Sequence, residues 1–335
     1  MTVEGAGIIL LPAEIVGTSC QDRAGPRQPS RVWFSLVCRL AFTRGMGCLM
    51  ELREPHLSRL PALARQYLGD SAALLVSEAS VSVRLRRTAA CSPVFGGSRL
   101  GGLALLPPGM SWPATLAGMP LSFLGQISTS EIPPPGCPEL PPDMLLAFFY
   151  EAVGQQGWGD DPADHQYWRV IAVPRAAAAP AAAPARSQAF APHRLMPGPV
   201  TTIPDPGELA LEGMCRADSN GIEQLFDDLD EELRRDDNGP RHRMFGWPDL
   251  VQNPMQLDCQ LASSGIDLST EAGYDDPRAA ALEGGAAEWM LLLQLDTDAA
   301  VGWMWGDAGT LYFWIRRADL AAARFDRVWM MFQCC

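Results

Sequence analysis

Apolar residues recur along the chain with two different periods. Between Pro61 and Leu68 they fall on one helical face, and Gly69 follows where helices commonly end, so this segment is predicted to be a helix. From Val81 to Arg86 every second residue is apolar, which predicts a strand with one solvent-facing side. Both periods begin only after about residue 50.

Residues 1–49 differ from the rest of the chain. They show no sustained period and contain five arginines against three acidic residues. Two interpretations stay open: a flexible extension, or a mispredicted start with translation beginning at Met46 or Met50.

A longer amphipathic helix is predicted from about Gly221 to Asp237. Asn220 and Glu223 have the spacing of a capping box at its start. One face is apolar and the other is strongly acidic. The acidic face is interpreted as a solvated surface, with a docking surface as the alternative.

Three short segments recur in the same order, which indicates an internal duplication. The matching pairs are residues 98–106 with 242–250, 123–129 with 291–297, and 146–150 with 311–315. In each copy a turn with a basic residue precedes a strand with a central Gln and then an aromatic strand. The predicted fold class is therefore α+β and β-rich, with two pseudo-symmetric repeats of mainly antiparallel strands and a few peripheral helices.

The expected domain covers residues 50–334 and has three parts. Repeat one spans about residues 81–173 and repeat two about residues 220–334. Residues 174–199 between them are mostly Ala and Pro. Because proline removes backbone donors, this segment is predicted to be a linker or a solvated loop.

The amino-acid composition excludes or disfavours several classes of function. The 335 residues carry a formal net charge of −13, which disfavours binding to nucleic acid or to an anionic membrane surface. All 26 basic residues are arginine, so a phosphate-loop lysine and a Schiff-base lysine are excluded. The nine cysteines lack the spacing of a zinc site and suit a reducing cytoplasm. No cofactor and no metal site are predicted.

The chain resembles the YwqG-like family, a bacterial family of unknown function, over roughly residues 60–334. The segments that carry the resemblance are residues 98–102, 118–127 and 246–248 with Gln252, and residues 305–309 followed by 311–313. Leu100 and Ala104 depart from it, because the family often has Phe and Pro there. The resemblance implies a fold and a bacterial origin, and it implies no activity.

Seven residues are candidates for ligand binding: Arg99, Gln126, Arg243, Gln252, Gln294, Trp305 and Asp307. The two repeated arginines could hold one anion, or each could pair with a core acid near its own turn. Each repeated Gln could tie its strand to a turn or face a shared pocket. Asp307 is interpreted as a turn cap or as a polar anchor beside Trp305.

The leading functional hypothesis is a non-enzymatic binding module with a cleft between the repeats. Its partner would be a protein or a small anionic molecule, and an immunity-type protein that neutralises a basic toxin is one version. The alternative is an uncharacterised hydrolase-type enzyme that uses Asp307 with Arg99 and Arg243. Common catalytic motifs are absent from the sequence, so an enzyme is not expected.

Overall fold

A computed structural model describes residues 51–52, 56–132, 138, 140–205, 221, 224–225, 228 and 239–335. The predicted extension over residues 1–49 lies outside these residues. Most of the predicted helix over residues 221–237 also lies outside them, and its four described residues are helical.

The described elements are five α-helices and thirteen strands, joined by short 3₁₀ turns. The helices are α1 (His56–Leu68), α2 (Ala72–Ser77), α3 (Gln256–Ser263), α4 (Ala279–Leu282) and α5 (Arg317–Ala321). The strands are β1 (Glu51–Leu52), β2 (Ser80–Ala90), β3 (Arg99–Leu100), β4 (Leu105–Leu106), β5 (Ser122–Ser128), β6 (Met144–Tyr150), β7 (Trp168–Pro174), β8 (Ala179–Pro180), β9 (His193–Thr202), β10 (Arg243–Met244), β11 (Trp289–Asp296), β12 (Thr310–Arg316) and β13 (Trp329–Gln333). The predicted helix and the β-rich class are both confirmed.

One large antiparallel sheet contains both repeats. Its strand order is β13-β12-β11-β10-β2-β9-β3-β5-β6-β7, and β1 adds to β9. Outward from the central β2–β9 pair, each half has the same succession: a short strand that starts with Arg, a strand with a central Gln, an aromatic strand and an edge strand. The predicted pseudo-symmetric pair of mainly antiparallel repeats is therefore confirmed.

The registers of the two halves also agree. Arg99 pairs with Gln126, and Arg243 pairs with Gln294. Each Gln strand has a register shift against its aromatic strand two residues before the Gln, at Leu124 in one copy and Leu292 in the other. A bulge at the same place in both copies supports descent from one ancestral unit.

The first strand of each repeat is exchanged between the copies. β2 precedes the elements of repeat one along the chain, but it pairs with β10 of repeat two. β9 precedes repeat two but pairs with β3 of repeat one. The copies therefore interlock at the centre of the sheet, and neither is a separate lobe.

The sheet is nearly closed, so its outer strands face one another across a common core. The rings of Phe148 on β6 and Phe313 on β12 lie 5.2 Å apart. Trp168 on β7 and Trp329 on β13 are also 5.2 Å apart. Where the sequence predicts a cleft between the repeats, aromatic side chains therefore fill the interior at the level of these two pairs.

The Ala/Pro-rich segment over residues 174–199 is a linker or loop only in part, since residues 181–192 contain no helix or strand. Its residues 179–180 form β8 against β4, and its last part begins β9, a central strand. β3 pairs with β9 only at residues 193–194, and β1 pairs with it only at residues 201–202. Between these two stretches the edge of β9 that faces away from β2 has no partner strand. Pro197 and Pro199 are tolerated there because no backbone N–H is needed on that edge.

The outer face of repeat one is covered by this segment and by residues 104–121. The residues of this smaller apolar cluster are Ala104, Leu105, Leu106, Leu121, Phe123, Leu145, Ala147, Phe149 and Val173. Ala178 and Ala181 pack against it. None of the helices in the described part of the chain has the length and apolar character needed to cross a bilayer.

Candidate functional site

The arginine of the first repeated turn is fully buried and donates to the backbone of its own turn. Arg99 Nε donates to Phe95 O at 2.9 Å, and Nη1 donates to Gly101 O. Nη2 donates to Leu103 O and to Gln126 Oε1, the latter at 3.2 Å. Burial lowers the pKa of the guanidinium to about 10, so it stays charged at neutral pH.

The second repeated turn repeats part of this arrangement and adds a carboxylate. Arg243 Nη1 donates to Trp247 O at 3.1 Å, the counterpart of Leu103. Arg243 Nη2 donates to Asp249 Oδ2, and Arg241 Nη1 lies 3.8 Å from the same oxygen. Sequence analysis did not single out Asp249, although it lies six residues after the repeated arginine.

Both turns need two successive residues with positive φ. In repeat one these are glycines, and a Cβ on Gly101 would lie 2.3 Å from Ala191 O. In repeat two the first position is Phe245, with φ +59°, followed by Gly246. The close approach of the backbone at residue 191 explains why only the first copy needs glycine there.

Each repeated glutamine ties its strand to the neighbouring turn. Gln126 Nε2 donates to Gly97 O at 3.0 Å, and Gln294 Nε2 donates to the matching Arg241 O at 3.3 Å. Gln294 Oε1 accepts the Asp249 N–H at 3.0 Å. The side-chain amides therefore hold the fold at symmetric positions.

The structure does not bring the two arginines together around one anion. β9 and β2 lie between β3 and β10, a separation of three strand spacings or roughly 14 Å. Gln252 is elsewhere again: its side chain donates to Cys334 O at 2.6 Å and fixes the segment beside the β13 edge.

A polar trio at symmetric positions has diverged between the copies. The matched positions are Ser98 with His242, Ser128 with Asp296, and Ser130 with Asp298. One hydrogen bond is kept: the N–H of residue 128 donates to Ser98 Oγ at 2.9 Å, and the N–H of residue 296 donates to His242 Nδ1 at 3.2 Å. The alignment of the repeats pairs these residues, so it could have revealed the divergence.

His242 is fully buried and has no free ring nitrogen. Nδ1 accepts from the backbone, so Nε2 carries the proton and faces Asp298 Oδ2 at 3.3 Å. Arg87 Nε donates to the same carboxylate oxygen at 2.6 Å. Both ring nitrogens are used within the fold, so His242 and Arg87 together fix Asp298 of the β11–β12 loop.

Burial alone would raise the pKa of Asp298, but hydrogen bonds from His242 and Arg87 outweigh it and hold the pKa at about 2. An acid whose pKa falls on folding stabilises the protein above its unfolded pKa of about 4, and that stability is lost as pH falls toward 2. We expect Asp298→Asn to lower the free energy of unfolding by about 1–2 kcal/mol at pH 7, a value reduced because Arg87 is partly exposed.

The difference between wild type and this variant should shrink as pH falls from 4 to 2, measured by urea unfolding. Asp276→Asn is the control: Asp276 pairs with its neighbour Arg278 at the surface, where solvent screens the charges, so this variant should change the free energy of unfolding little at any pH. If the free energies of unfolding of wild type and Asp298→Asn differ by the same amount at every pH, the ion-pair interpretation is contradicted.

The acidic loop at residues 158–165 is partly buried. Asp164 accepts the N–H groups of Trp158 and Gly159 at 2.9 and 3.0 Å, and its side chain is buried. Burial raises its pKa to about 6 despite these bonds. Within the described residues, no group of His, Cys, Asp and Glu side chains is arranged to hold a metal.

The β11–β12 loop over residues 297–309 meets the β6–β7 turn over residues 151–157 at one end of the molecule. Gln155 Nε2 donates to Met304 O at 2.9 Å, and its Oε1 accepts the Gly306 N–H at 2.8 Å. Trp305 is buried below this contact, and Asp307 is exposed beside it. Of the seven candidate residues, Gln252 and Asp307 are the exposed ones, and the side chain of Gln252 is bonded to Cys334 O.

The two repeats also match the model of a known protein family. A family model described as "Domain of unknown function (DUF1963)" matches residues 98–334. The chain belongs to this family. The DUF1963 match starts at Ser98 in the first repeated turn and runs through β13, so it covers both repeats except the exchanged strand β2. No curated protein matches the chain.

Proposed function

We propose that this protein is a non-enzymatic binding module for a basic protein partner. The surface we assign to the partner, called the junction surface, consists of residues 151–157 and 304–307. The proposal is supported first by the burial of the other candidates: Arg99, Gln126, Arg243 and Gln294 use their polar groups within the fold. The hydrolase alternative loses support for the same reason.

One observation carries the proposal. Val153 and Met304 are 61% and 55% exposed, and they lie on the two loops that the Gln155 amide joins. Apolar side chains on loops that are already fixed need little ordering on binding, which favours affinity. Each repeat contributes one loop, so the surface exists only because both copies are folded together.

Charge defines the expected partner. The net charge of −13 and the exposed Asp307 favour a basic protein, because complementary potentials steer encounter and select partners. The narrower version is an immunity-type protein that neutralises a basic toxin.

The bacterial origin and the YwqG-like assignment rest on the motifs at residues 98–127 and 246–313. A cytoplasmic location is supported by the free thiols of Cys91 and Cys335, whereas a disulfide at Cys334 speaks against it.

The double variant Val153→Arg and Met304→Arg should weaken binding of the basic partner at least about tenfold, since two apolar contacts are replaced by charges of the partner's own sign. The partner is first captured from the source cells, then identified, purified and titrated calorimetrically against each variant. Leu74→Arg is the matched control, because Leu74 is 44% exposed on α2, outside the junction surface.

Equal affinity of wild type and the double variant would rule out the junction surface. A captured partner that is acidic, or whose binding does not weaken with salt, would rule out the electrostatic part.

A further inference from the structure

Two tryptophans below the junction surface have indole N–H groups without an acceptor. Trp303 and Trp305 are each 1% exposed, and no described residue accepts a hydrogen bond from either Nε1. Their ring centroids lie 5.3 Å apart, so the two indoles are direct neighbours. Buried polar groups almost always have a partner, so a pair of such donors side by side requires an explanation.

The neighbouring side chains cannot supply the missing acceptor. Phe190 packs edge-on against Trp303 at 5.8 Å, and Tyr150 packs against Trp305 at 5.9 Å. The Tyr150 hydroxyl donates to Gly157 O at 3.1 Å and accepts from neither indole. His242, 5.7 Å from Trp303, uses both ring nitrogens elsewhere.

We propose that the indole N–H groups of Trp303 and Trp305 form an internal site for a small monovalent anion, either a halide or the carboxylate of a small organic acid. The rings in contact with the pair belong to Phe190, Tyr150 and His242, and none of these side chains accepts from either indole. A water molecule would also need acceptors for its own two hydrogens, whereas an anion has none to place. Aromatic ring edges carry partial positive charge and favour the same choice.

Indole N–H resonances report on this site directly. The chain contains ten tryptophans, and Trp303→Phe and Trp305→Phe assign the two relevant signals in a proton–nitrogen correlation spectrum. The wild-type protein is titrated with sodium bromide and, separately, with sodium acetate in chloride-free buffer. Both signals should move along one saturation curve, with a dissociation constant on the order of 1 mM.

Trp314 is the internal control, because its indole N–H is also buried without an acceptor but lies on β12. Its signal should not move. Either tryptophan variant should weaken binding, read from the remaining signal, by about tenfold or more. Trp314→Phe assigns the control signal. If a variant fails to fold, triple-resonance spectra of the wild-type protein assign the indole signals instead, and the wild-type titration still decides the matter.

Each outcome has a meaning. A response to bromide alone assigns an inorganic anion, a response to acetate alone assigns an organic carboxylate, and a response to both supports the class. The proposal is overturned if neither signal moves, if the two signals follow different curves, or if Trp314 moves with them. Cross-relaxation of both N–H groups with one long-lived water, without an anion response, would also overturn it.

Discussion

Replacing Arg243 by Met should lower the free energy of unfolding by about 3–5 kcal/mol, because it strands a buried carboxylate. Asp249 would lose the guanidinium that contacts its Oδ2. Arg241, at 3.8 Å from that oxygen, would compensate only in part. Urea unfolding at pH 7, followed by tryptophan fluorescence, measures the change.

The other copy supplies a matched control. Arg99 has the same register position and is equally buried, but its described contacts are carbonyl oxygens and one amide oxygen. Arg99→Met should destabilise less than Arg243→Met, because it strands no charge and removes a guanidinium whose pKa burial has already lowered to about 10. Adding Asp249→Leu to Arg243→Met should restore part of the loss. This account is contradicted if Arg99→Met and Arg243→Met lower the free energy of unfolding equally and the double variant recovers none of it.

Replacing Phe313 by Ala should lower the free energy of unfolding by about 3–5 kcal/mol, because it opens a cavity in the core between the repeats. Phe148 of the other repeat contacts this ring at a centroid distance of 5.2 Å. A double-mutant cycle of Phe148→Ala and Phe313→Ala should give a coupling energy of about 0.5–1.5 kcal/mol. Denaturant unfolding of the four proteins measures it.

Phe123 provides the control for this cycle, because it belongs to the smaller apolar cluster on the outer face of repeat one. Phe123→Ala and Phe313→Ala should be additive within about 0.5 kcal/mol. No coupling between Phe148 and Phe313 would mean that the two repeats are separated there, as a cleft requires.

The duplication and its register could be read from the sequence. The spacing of Arg, Gln and aromatic residues reflects alternation along individual strands, which is a local property. The pairings Arg99 with Gln126 and Arg243 with Gln294 accordingly follow the aligned segments. The short helix ending at Leu68 was predictable for the same reason.

Burial of the candidate site was not predictable in this way. A repeated arginine fits a ligand site and a turn brace equally well, and only the three-dimensional contacts of Arg99 and Arg243 distinguish them. The roles of Asp249 and Asp298 depend on partners in other strands and loops. The pairing of Gln155 with Met304 joins residues that are 149 positions apart.

By itself the sequence determined the β-rich class, the two copies and the order of elements in each, because these depend on side-chain alternation within short segments. The tertiary structure alone decided the exchange of β2 and β9, the placement of an Ala/Pro-rich segment at the sheet centre, and the exposure of Asp307. Strand pairing is a contact between distant segments, such as Arg84 with Arg243. Many pairings satisfy the same local pattern, and the packing of the whole core selects one of them.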